Sequence, residues 1–497
     1  MERPLMRFER SLRSVAILLA ADLAGDDVMI SGLTQTSQDI EPGDIFLAFP
    51  GAKTHGASFS TEAEERGARA VLTDSAGAAI IDEIAHGLSV VAVADPRHAA
   101  GILSAWFYNE PMRDVYCVGI TGTNGKTTTT TLLHQIWTRA GRESGLIGTV
   151  ETRIGTDLLK SNRTTPESSD LQALVATMRE RHVRNLAMEV SSHAIALERI
   201  RGSHFAVVAF TNLTQDHLDF HDTMEAYFQA KASLFTFEYA DLALINIDDP
   251  YGARLAQSSG IPVRTLSRTN HEANWSYVSA HSHLRGNDVC IRGEGGILIE
   301  AVLHLHGDYN LDNALMAVAL AFESGVDPIE IAAILPTLIG AKGRLEPVDV
   351  GQEFVAFVDY AHSPDSVTRV LEACRAMTSG KVIAVLGCGG DRDSSKRPLM
   401  GQALSEGSDI AVFTSDNPRS EDPMKILGQM TQGLAVTMPG QVISDRRTAI
   451  EYAVSQAARG DVVVILGKGH ETGQESAGVT TPFDDRLALA QAIEARR

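Results

Sequence analysis

The chain has 497 residues, which is enough for about three domains that each bury a core. Hydrophobic residues make up 44% of the chain and charged residues 21%, and this composition excludes a disordered or fibrous protein. The 43 Lys and Arg residues against 63 Asp and Glu residues give a net charge of −20. A chain this acidic would be repelled by a long polyanion, so we expect no nucleic-acid partner.

The N-terminus has the basic-then-apolar order of a signal peptide, with Val15–Ala21 as the apolar part. However, its apolar residues recur at helical spacing, which favours an amphipathic helix instead. These residues are Leu5, Phe8, Leu12, Val15 and Leu19. The four cysteines form no Cys-x-x-Cys pair and predict free thiols in a reducing compartment. No apolar run approaches the ~18 residues of a membrane span, so we expect a cytoplasmic protein.

Changes along the chain in the pattern of apolar segments and turn signals predict three domains, over residues 1–112, 113–344 and 345–497. The first is a smaller α/β domain that ends at a linker-like stretch, Asn109–Asp114. In the second, we expect a parallel sheet, with antiparallel hairpins at one edge from about 265 to 305. The predicted strands of this domain are Val115–Ile120, Asn185–Val190, Ala206–Thr211 and Ala243–Ile247.

The third domain alternates apolar strands with helical patterns, which predicts βαβ units and a doubly wound, Rossmann-like parallel sheet. Its predicted strands are Phe354–Val358, Val382–Leu386, Ile410–Phe413 and Val462–Leu466. A polar, glycine-rich loop follows each strand, and these loops are 359–362, 387–393, 415–419 and 467–471. Because ligands bind at the carboxyl ends of parallel strands, the four loops together indicate one site rather than ordinary turns.

A phosphate-binding loop is predicted at Thr121–Thr128, between a strand and a helix that extends through Ala140. Its glycines would let backbone N–H groups approach an anion at the helix N-terminus, where Lys126 would reach the terminal phosphates. Thr127 would supply a hydroxyl ligand to Mg²⁺. The strict Walker spacing fails, because Ile120 stands where the first glycine is required. The alternative is a plain glycine-rich turn.

Two further residues follow strands close to this loop. Glu189 ends an apolar strand, where an acidic side chain is costly unless it is paired or bound to a metal ion. A solvated strand end is the alternative for Glu189. His217, which follows the next strand, is as consistent with a structural histidine as with a ligand.

Several motifs in fixed order resemble the Mur ligase family over essentially the whole chain. They are Thr121–Thr128, Glu189–His193, Asn212–His217, Gly307–Asn313, Gly343–Arg344 and Asp359–His362. Members of this family are three-domain, ATP-dependent amide ligases that build the peptide stem of peptidoglycan. The Asp416–Arg419 loop resembles the form found in members that add meso-2,6-diaminopimelate to UDP-N-acetylmuramoyl-L-alanyl-D-glutamate. A lysine-adding relative, the fourth-step ligase and a nucleotide-gated binding protein remain the alternatives.

The resemblance implies roles for residues at the nucleotide site. It implies that Lys126 steadies the phosphates, that Thr127 and Glu189 hold one Mg²⁺, and that Glu189 and His217 help to hold a second ion. It also implies that Lys231 is carbamylated and ligates the metal, although by itself Lys231 reads as an ordinary helix-surface lysine. The residues implied to bind ATP are Gly122, Thr123, Asn124, Gly125, Lys126, Thr127, Thr128, Asn310, Asn313, Arg344, Asp359 and His362. Without the resemblance, a helix cap and a polar helix face would account for the two asparagines.

The resemblance also implies two substrate sites, and we expect the protein to be a monomer. For the UDP-linked dipeptide, the implied residues are Ser37, Thr164, Thr165, Ser192 and Arg199. For diaminopimelate, they are Arg392, Asp416, Asn417, Pro418, Arg419, Gly467 and Glu471. A guanidinium suits the distal carboxylate that distinguishes diaminopimelate from lysine, and Glu471 could receive the distal ammonium.

Overall fold

The computed structural model describes residues 2–51, 53–84, 87–161, 163–283, 286–436 and 441–496. Within these ranges the chain forms 17 α-helices and 25 strands. The three largest sheets follow one another along the chain, and helices pack against each of them. The predicted α/β fold class is therefore confirmed.

The first unit is built on a five-stranded sheet. Its elements are β1 (Arg10–Ser11), α1 (Leu12–Leu18), β2 (Asp22–Ala24), β3 (Met29–Ile30), β4 (Gly32–Thr34), β5 (Asp44–Leu47), α2 (Ser60–Glu65), β6 (Ala70–Thr73), α3 (Ser75–Ile84), β7 (Ser89–Ala92) and α4 (Pro96–Phe107). The strand order is β2-β7-β6-β5-β4, and only β2 is antiparallel to its neighbour. Strands β1 and β3 form a separate antiparallel pair.

The predicted N-terminal helix is shorter than its apolar pattern suggests. It begins at Leu12, because the Ser11 hydroxyl caps it by accepting a hydrogen bond from the backbone N–H of Ser14 at 3.2 Å. Ser11 also belongs to β1, whose pairing with β3 holds the preceding backbone in an extended conformation. Leu5 therefore lies outside the helix and is 89% exposed, so its inclusion in the amphipathic pattern was wrong.

The second unit contains the largest sheet. Its elements are β8 (Tyr116–Thr121), α5 (Lys126–Arg139), β9 (Ser144–Ile147), β10 (Thr152–Ile154), β11 (Asp157–Leu159), α6 (Ser168–Glu180), β12 (Asn185–Glu189), α7 (Ser192–Ala196), β13 (Phe205–Phe210), α8 (Leu218–His221), α9 (Met224–Ala232), β14 (Ala240–Asn246), α10 (Pro250–Ser258), β15 (Val263–Ser267), β16 (Trp275–His283), β17 (Gly286–Arg292), β18 (Leu298–Leu303), α11 (Asp308–Glu323) and α12 (Pro328–Ile334).

This sheet has the order β11-β10-β9-β12-β8-β13-β14-β15-β16-β17-β18 among the described residues. The run from β9 to β16 is parallel, as predicted. The expected antiparallel edge is confirmed by β16 to β18. The sheet also has a second antiparallel edge, formed by β9 to β11, which the apolar pattern did not indicate. These short strands carry no continuous apolar run, so periodicity gave no signal for them.

The third unit has the predicted doubly wound sheet. Its elements are β19 (Glu346–Pro347), β20 (Val355–Asp359), α13 (Pro364–Ala376), β21 (Val382–Cys388), α14 (Lys396–Gly407), β22 (Ile410–Ser415), α15 (Pro423–Met430), α16 (Arg446–Gln456), β23 (Val462–Leu466), β24 (Gly473–Ser476), β25 (Val479–Pro482) and α17 (Asp485–Arg496). The order is β19-β20-β23-β21-β22, with the four predicted strands parallel and β19 antiparallel.

Separate apolar cores cover the two faces of this third sheet. One contains Phe357, Leu371 and Leu404, and the other contains Val358, Ile450 and Leu489. Residues that alternate along β20 therefore contribute to opposite cores, as expected for a sheet between two helix layers. Over the described ranges, the structure contains no helix whose length and apolarity suit a membrane span.

Candidate functional site

A cavity of about 520 Å³ opens where strands of the second and third units end. It is lined by Thr123, Asn124, Gly125, Lys126, Thr127, Thr128, Thr149, Thr164, Glu189, Ser191, Thr211, Asn212, Asp216, His217, Asn246, Asp248, Asp249, Pro250, Arg268, Tyr309, Asp312, Asn313, Met316, Arg344, Asp359, Tyr360, Ala361, His362, Ser363, Ser366, Arg369 and Val370. The predicted phosphate loop, Glu189, His217 and the Asp359–His362 loop thus share one cavity.

The phosphate loop connects β8 to α5 in a conformation that requires glycine. Gly122 and Gly125 have φ values of 145° and 89°, which place both in the region that side chains disfavour. A Cβ on Gly122 would collide with Oγ1 of Thr211, and a Cβ on Gly125 would collide with Oδ1 of Asn313. The loop therefore packs tightly against two neighbouring segments and presents the N-terminus of α5 to the cavity.

Two lysines converge on this loop. The Nζ atom of Lys126 donates hydrogen bonds to the carbonyl oxygens of Gly122 and Thr123, both at 2.9 Å. The Nζ atom of Lys231 donates to the same Gly122 oxygen, also at 2.9 Å. Lys231 is 1% exposed, so the surface position that its sequence context suggested was wrong. Burial lowers the pKa of Lys231 well below its usual value, and the charge of Lys126 lowers it further.

Glu189 is a buried carboxylate with neutral partners. It is 1% exposed and accepts hydrogen bonds from the backbone N–H of Thr149 at 2.8 Å and from its hydroxyl at 3.1 Å. None of the ion pairs found between described residues includes Glu189. A buried carboxylate that lacks a cationic partner fits a metal ion as its missing counter-charge. The oxygen donor of Glu189 is also of the type that Mg²⁺ prefers.

The four residues predicted to hold a metal ion do not form a complete protein site. Across the described ranges, no group of three or more His, Cys, Asp or Glu side chains is arranged to hold a metal ion. Thr127 and Glu189 line the cavity, whereas Lys231 lies behind the phosphate loop and is not among the lining residues. Any divalent ion here would therefore need further oxygen ligands, from water or from a bound phosphate group.

His217 lies at the cavity beside an ion pair that joins two units. Its Nε2 atom is 3.4 Å from the Asp216 carboxylate, whose other oxygen accepts a hydrogen bond from Lys396 Nζ at 2.9 Å. Burial lowers the pKa of His217 to about 4, so the imidazole is neutral at pH 7. Burial raises the pKa of Asp216, but Lys396 and the His217 imidazolium that forms at low pH outweigh this effect and leave it at about 2. Asp216 is consequently an anion at pH 7, and its ion pair with Lys396 holds α14 of the third unit near the phosphate loop.

The predicted nucleotide residues of the later motifs are only partly brought together. Asn313, Arg344, Asp359 and His362 line the cavity, but Asn310 does not. The Oδ1 atom of Asn310 instead accepts a 3.4 Å hydrogen bond from the side-chain amide of Asn313. Asn310 therefore supports its neighbour within α11 rather than facing the cavity.

Arg344 and Asp359 line the same part of the cavity. The Arg344 guanidinium lies 4.5 Å from the centre of the Tyr360 ring. Both oxygens of Asp359 accept backbone hydrogen bonds, from Leu345 at 2.6 Å and from Ala361 at 2.7 Å. These contacts fix the turn after β20, and each oxygen of Asp359 retains a second lone pair that could accept from a ligand.

The predicted diaminopimelate residues cluster at the carboxyl ends of β21, β22 and β23. The side-chain amide of Asn417 donates to Glu471 Oε2 at 2.8 Å. Lys468, which is fully buried, donates to Asn417 Oδ1 and to Glu471 Oε2, each at 2.9 Å. Burial raises the pKa of Glu471, but the hydrogen bond and charge of Lys468 outweigh it, so the pKa is lowered. Glu471 is thus held as an anion that can accept an ammonium group.

Two arginines lie near Gly389 at the same strand ends, and we refer to the loops that carry them and Glu471 as the pocket. A Cβ on Gly389 would lie 3.1 Å from Nη1 of Arg419 and 3.7 Å from Cγ of Arg392, so both arginines approach this glycine. Arg419 has a φ of 52° and donates to the carbonyl oxygen of Gly390 at 2.6 Å. The remaining predicted residues border the same loops: Asp416, Pro418 and Gly467.

The pocket adjoins the cavity at Tyr360. This residue lines the cavity, and its ring centre lies 5.2 Å from that of His470, the residue before Glu471. The cavity and the pocket with opposite charges are consequently neighbours, as two reactants of one reaction would require.

The residues predicted for the UDP-linked substrate fall in two places. Thr164 lines the cavity, and Thr165 Oγ1 donates to the carbonyl oxygen of Glu189 at 2.8 Å. Ser192 Oγ is 2.9 Å from Nε2 of His221, and Arg199 forms an ion pair with Glu167 at 2.9 Å. Those four residues belong to the second unit.

Ser37 lies apart from this group, in the first unit. Its hydroxyl donates to Glu62 Oε2 at 2.7 Å, and it is not among the residues that line the cavity. The structure therefore does not bring Ser37 together with the other predicted substrate residues.

Several residues that complete the site carry no signal of their own in the sequence. Lys468 stands in the Gly467–Glu471 loop, where a buried lysine cannot be told from an exposed one. Lys396 and Thr149 lie outside every motif. Their roles depend on contacts with residues 180 and 40 positions away, so only a tertiary structure could reveal them.

Three family models match the chain in succession. "Mur ligase family, catalytic domain" matches residues 29–108, and "Mur ligase middle domain" matches residues 120–321. "Mur ligase, glutamate ligase domain" matches residues 343–469. Among solved structures, a UDP-N-acetylmuramoyl-L-alanyl-D-glutamate--2,6-diaminopimelate ligase has a TM-score of 0.67 and 32% identity, over 94% of this chain and 95% of that one. MurF ligase from Thermotoga maritima, in complex with ADP, shares the fold with a TM-score of 0.63 and 16% identity, over 93% and 97% of the two chains.

Curated relatives are similar over almost their whole length. A protein of Streptomyces coelicolor named "UDP-N-acetylmuramoyl-L-alanyl-D-glutamate--2,6-diaminopimelate ligase" is 47% identical, over 99% of this chain and 98% of the relative. A protein of the same name from Corynebacterium glutamicum is 42% identical, over 90% and 89%. "UDP-N-acetylmuramyl-tripeptide synthetase" of Leifsonia xyli is 40% identical, over 99% and 98%. On these matches and on its fold, the chain belongs to the Mur ligase family.

Proposed function

We propose that this protein is an ATP-dependent ligase that joins meso-2,6-diaminopimelate to UDP-N-acetylmuramoyl-L-alanyl-D-glutamate, a step of peptidoglycan precursor synthesis. The observation that carries this proposal is the junction at Tyr360 between a cavity with a phosphate loop and a pocket with opposite charges. The 47% identity to a relative with the corresponding name supports the choice of substrates.

The reaction needs ATP because a carboxylate is a poor electrophile. The γ-phosphoryl group passes to an oxygen of the side-chain carboxylate of D-glutamate, and ADP leaves. The amine nitrogen of diaminopimelate then attacks the acyl carbon, the C–O bond to phosphate breaks, and the amine loses a proton as the amide forms. Most of the catalysis is positioning and neutralisation of charge on the transferring group. The N-terminus of α5 and Lys126 supply positive charge at the phosphates.

We propose that Thr127, Glu189, His217 and a carbamylated Lys231 hold Mg²⁺ together with ATP phosphates. When bound, this ion would neutralise phosphate charge. Two observations support this proposal. Glu189 is buried and forms no direct ion pair, and the pKa of Lys231 is lowered, which matters because CO₂ reacts with a neutral amine and not with an ammonium. The residues that we propose to bind ATP are Gly122–Thr128, Asn310, Asn313, Arg344, Asp359 and His362. Of these, Asn310 would act through the hydrogen bond that holds Asn313, and Asp359 also fixes the turn after β20.

The amino-acid pocket supports diaminopimelate over L-lysine. Lysine lacks the distal carboxylate, which is the group that the guanidinium groups of Arg392 and Arg419 would bind. Glu471, held as an anion by Lys468, would receive the distal ammonium. Asp416, Asn417, Pro418 and Gly467 would shape the loops around it.

We propose that the UDP-linked dipeptide is held by Thr164, Thr165, Ser192 and Arg199, with Ser37 at its uridine end. We further propose that the domains divide at 112/113 and 344/345, and that the protein acts as a cytoplasmic monomer. Each proposed boundary falls between two of the large sheets.

Phosphate release and amide formation test the proposed function. The assay compares ATP alone with ATP plus the UDP-linked dipeptide and either meso-diaminopimelate or L-lysine. We expect phosphate release and amide formation only with both substrates, and preferentially with diaminopimelate. Equal rates with lysine would indicate the lysine-adding alternative. Phosphate release at the same rate with and without the two substrates would instead support a nucleotide-gated binding protein.

A further inference from the structure

A fully buried ion pair lies beneath the amino-acid pocket. Arg446, the first residue of α16, donates from Nε to Asp485 Oδ1 at 2.7 Å and from Nη2 to Asp485 Oδ2 at 2.6 Å. Asp485 is the first residue of α17, and the side chains of both residues are 0% exposed. Neither side chain can therefore touch a substrate.

The same guanidinium also binds the ends of two strands. Its Nη1 atom donates to the carbonyl oxygen of Ser415 at 3.1 Å, and its Nη2 atom donates to that of Leu466 at 2.9 Å. Ser415 is the last residue of β22, and Leu466 is the last residue of β23. These strands are not neighbours, because β21 lies between them in the sheet. Arg446 consequently joins two strand ends that no ladder hydrogen bond connects.

The two segments that follow these strand ends meet above β21. A Cβ on Gly387 of β21 would lie 2.7 Å from the backbone N of Asp416, so the chain after β22 passes directly over this glycine. A Cβ on Gly467 would lie 2.6 Å from Oδ2 of Asp416. The loops carrying Asn417 and Glu471 thus meet next to the two strand ends that Arg446 binds through hydrogen bonds.

We infer that Arg446, with Asp485 as its counter-ion, is a positioning residue that sets the spacing between the two loops of the amino-acid pocket. One loop carries Asn417 and Arg419, and the other carries Glu471. A ligand with a carboxylate and an ammonium at its distal end requires a fixed distance between the cationic and anionic sides of its pocket. The fork of Arg446 provides this distance because its planar donors are rigidly related. This inference depends on the proposed function for the identity of the amino acid.

The spacing role can be separated from a general stabilising role. Removing one partner of a buried ion pair leaves an uncompensated charge and destabilises the fold, whereas replacing both partners with apolar residues of similar volume is often neutral. The test variant is therefore the double substitution Arg446→Met with Asp485→Leu. It removes the donors to Ser415 and Leu466 together with the paired charge of Asp485, and Lys468 remains as a compensating charge near the buried Asp416.

The control is Arg375→Met with Asp409→Leu. This more exposed ion pair lies at the opposite end of the same strands, where Asp409 also accepts from the backbone N–H of Val382, the first residue of β21, at 2.7 Å. For each variant, KM is measured for diaminopimelate, ATP and the UDP-linked dipeptide. ATP–ADP exchange that depends on the UDP-linked dipeptide is measured without any amine, because this half-reaction does not use the pocket. Thermal unfolding of each variant is followed in parallel.

In the Arg446/Asp485 double variant, we expect KM for diaminopimelate to rise by about tenfold or more, because small misplacements of positioning groups have large effects. Dipeptide-dependent exchange and the other two KM values stay within about twofold, and the control variant behaves as the wild type. A folded double variant with an unchanged KM for diaminopimelate would overturn the inference. An equal rise of all three KM values would also overturn it.

A second variant applies if the double variant does not fold. Arg446→Lys keeps the charge opposite Asp485 but lacks the fork, and it is judged by the same criteria. Amide formation by the wild type distinguishes a failure of this inference from a failure of the proposed function. If the wild type forms no amide from diaminopimelate, the proposed function fails. If the wild type is active and the variants match it, only the role of Arg446 fails.

Discussion

Lys126 and Lys231 donate hydrogen bonds to the same oxygen, the carbonyl of Gly122, and each Nζ–O distance is 2.9 Å. Two ammonium groups that share one acceptor repel each other, and burial adds a larger penalty for the charge of Lys231. The arrangement favours a neutral Lys231 amine. A residue whose sequence context is that of a surface lysine is thereby placed where its charged form is disfavoured, and this supports the proposed reaction with CO₂.

Lys231→Gln is expected to lower kcat about 100-fold or more, if carbamylation at this position supplies a magnesium ligand. Gln is nearly as long but cannot take up CO₂. The measurement is amide formation at saturating substrates, with bicarbonate added or removed. Wild-type activity should depend on bicarbonate, and that of the variant should not. Lys425→Gln, on the exposed surface of α15, is the control. Full activity of Lys231→Gln would contradict the modification.

Glu189→Gln removes a buried negative charge but keeps a carbonyl that can accept from Thr149. We expect the Mg²⁺ concentration for half-maximal activity to rise about tenfold or more, because a ligand charge is lost. We also expect little loss of stability, since no cation is left unpaired. Magnesium titrations of activity and thermal unfolding measure the two effects. Glu151→Gln, whose native carboxylate pairs with Arg153, serves as control. An unchanged magnesium requirement would remove Glu189 from the metal site.

Arg419→Lys keeps the positive charge of the amino-acid pocket but loses the paired geometry of the guanidinium. We expect KM for meso-diaminopimelate to rise about tenfold or more, because lysine binds a carboxylate as a point charge. The KM for ATP should not change. Arg447→Lys, on the exposed side of α16, is the matched control. Steady-state kinetics with each substrate varied in turn provide the test, and an unaltered KM for diaminopimelate would refute the assignment.

His134 makes the stability of the protein sensitive to acid. It is 8% exposed, its Nδ1 atom is 3.0 Å from Ser144 Oγ, and burial lowers its pKa to about 4. As the pH falls from about 6.5 to 4, the unfolded state takes up a proton on this residue and the folded state does not. The free energy of unfolding should therefore fall by up to about 3 kcal/mol as the pH falls through this window. Above about pH 6.5, His134 is neutral in both states and should cause no loss of stability.

His134→Gln should remove that part of the pH dependence. Denaturant unfolding of the wild type and the variant between pH 4 and 7 measures the difference in slope. His281→Gln, at an exposed position, controls for the loss of a histidine elsewhere. Parallel pH profiles for the wild type and His134→Gln would show that His134 does not carry the effect.

The local features of this protein could be read from its sequence. The apolar runs predicted the four parallel strands of the third sheet, and Val462–Leu466 has the predicted bounds. Strand, glycine and helix signals likewise located the phosphate loop, because its backbone geometry depends on residues that are adjacent in the chain. The order of the motifs was sufficient to indicate the Mur ligase family.

The tertiary structure alone decided which charges are buried and what they hold. Lys231 is indistinguishable from a surface lysine until α9 packs behind the phosphate loop. Arg446 has no motif, and its role exists only because β22 and β23 end on either side of β21. Periodicity reports how a residue relates to its near neighbours along the chain. The desolvation and pairing of a charge depend instead on residues that are distant in the sequence.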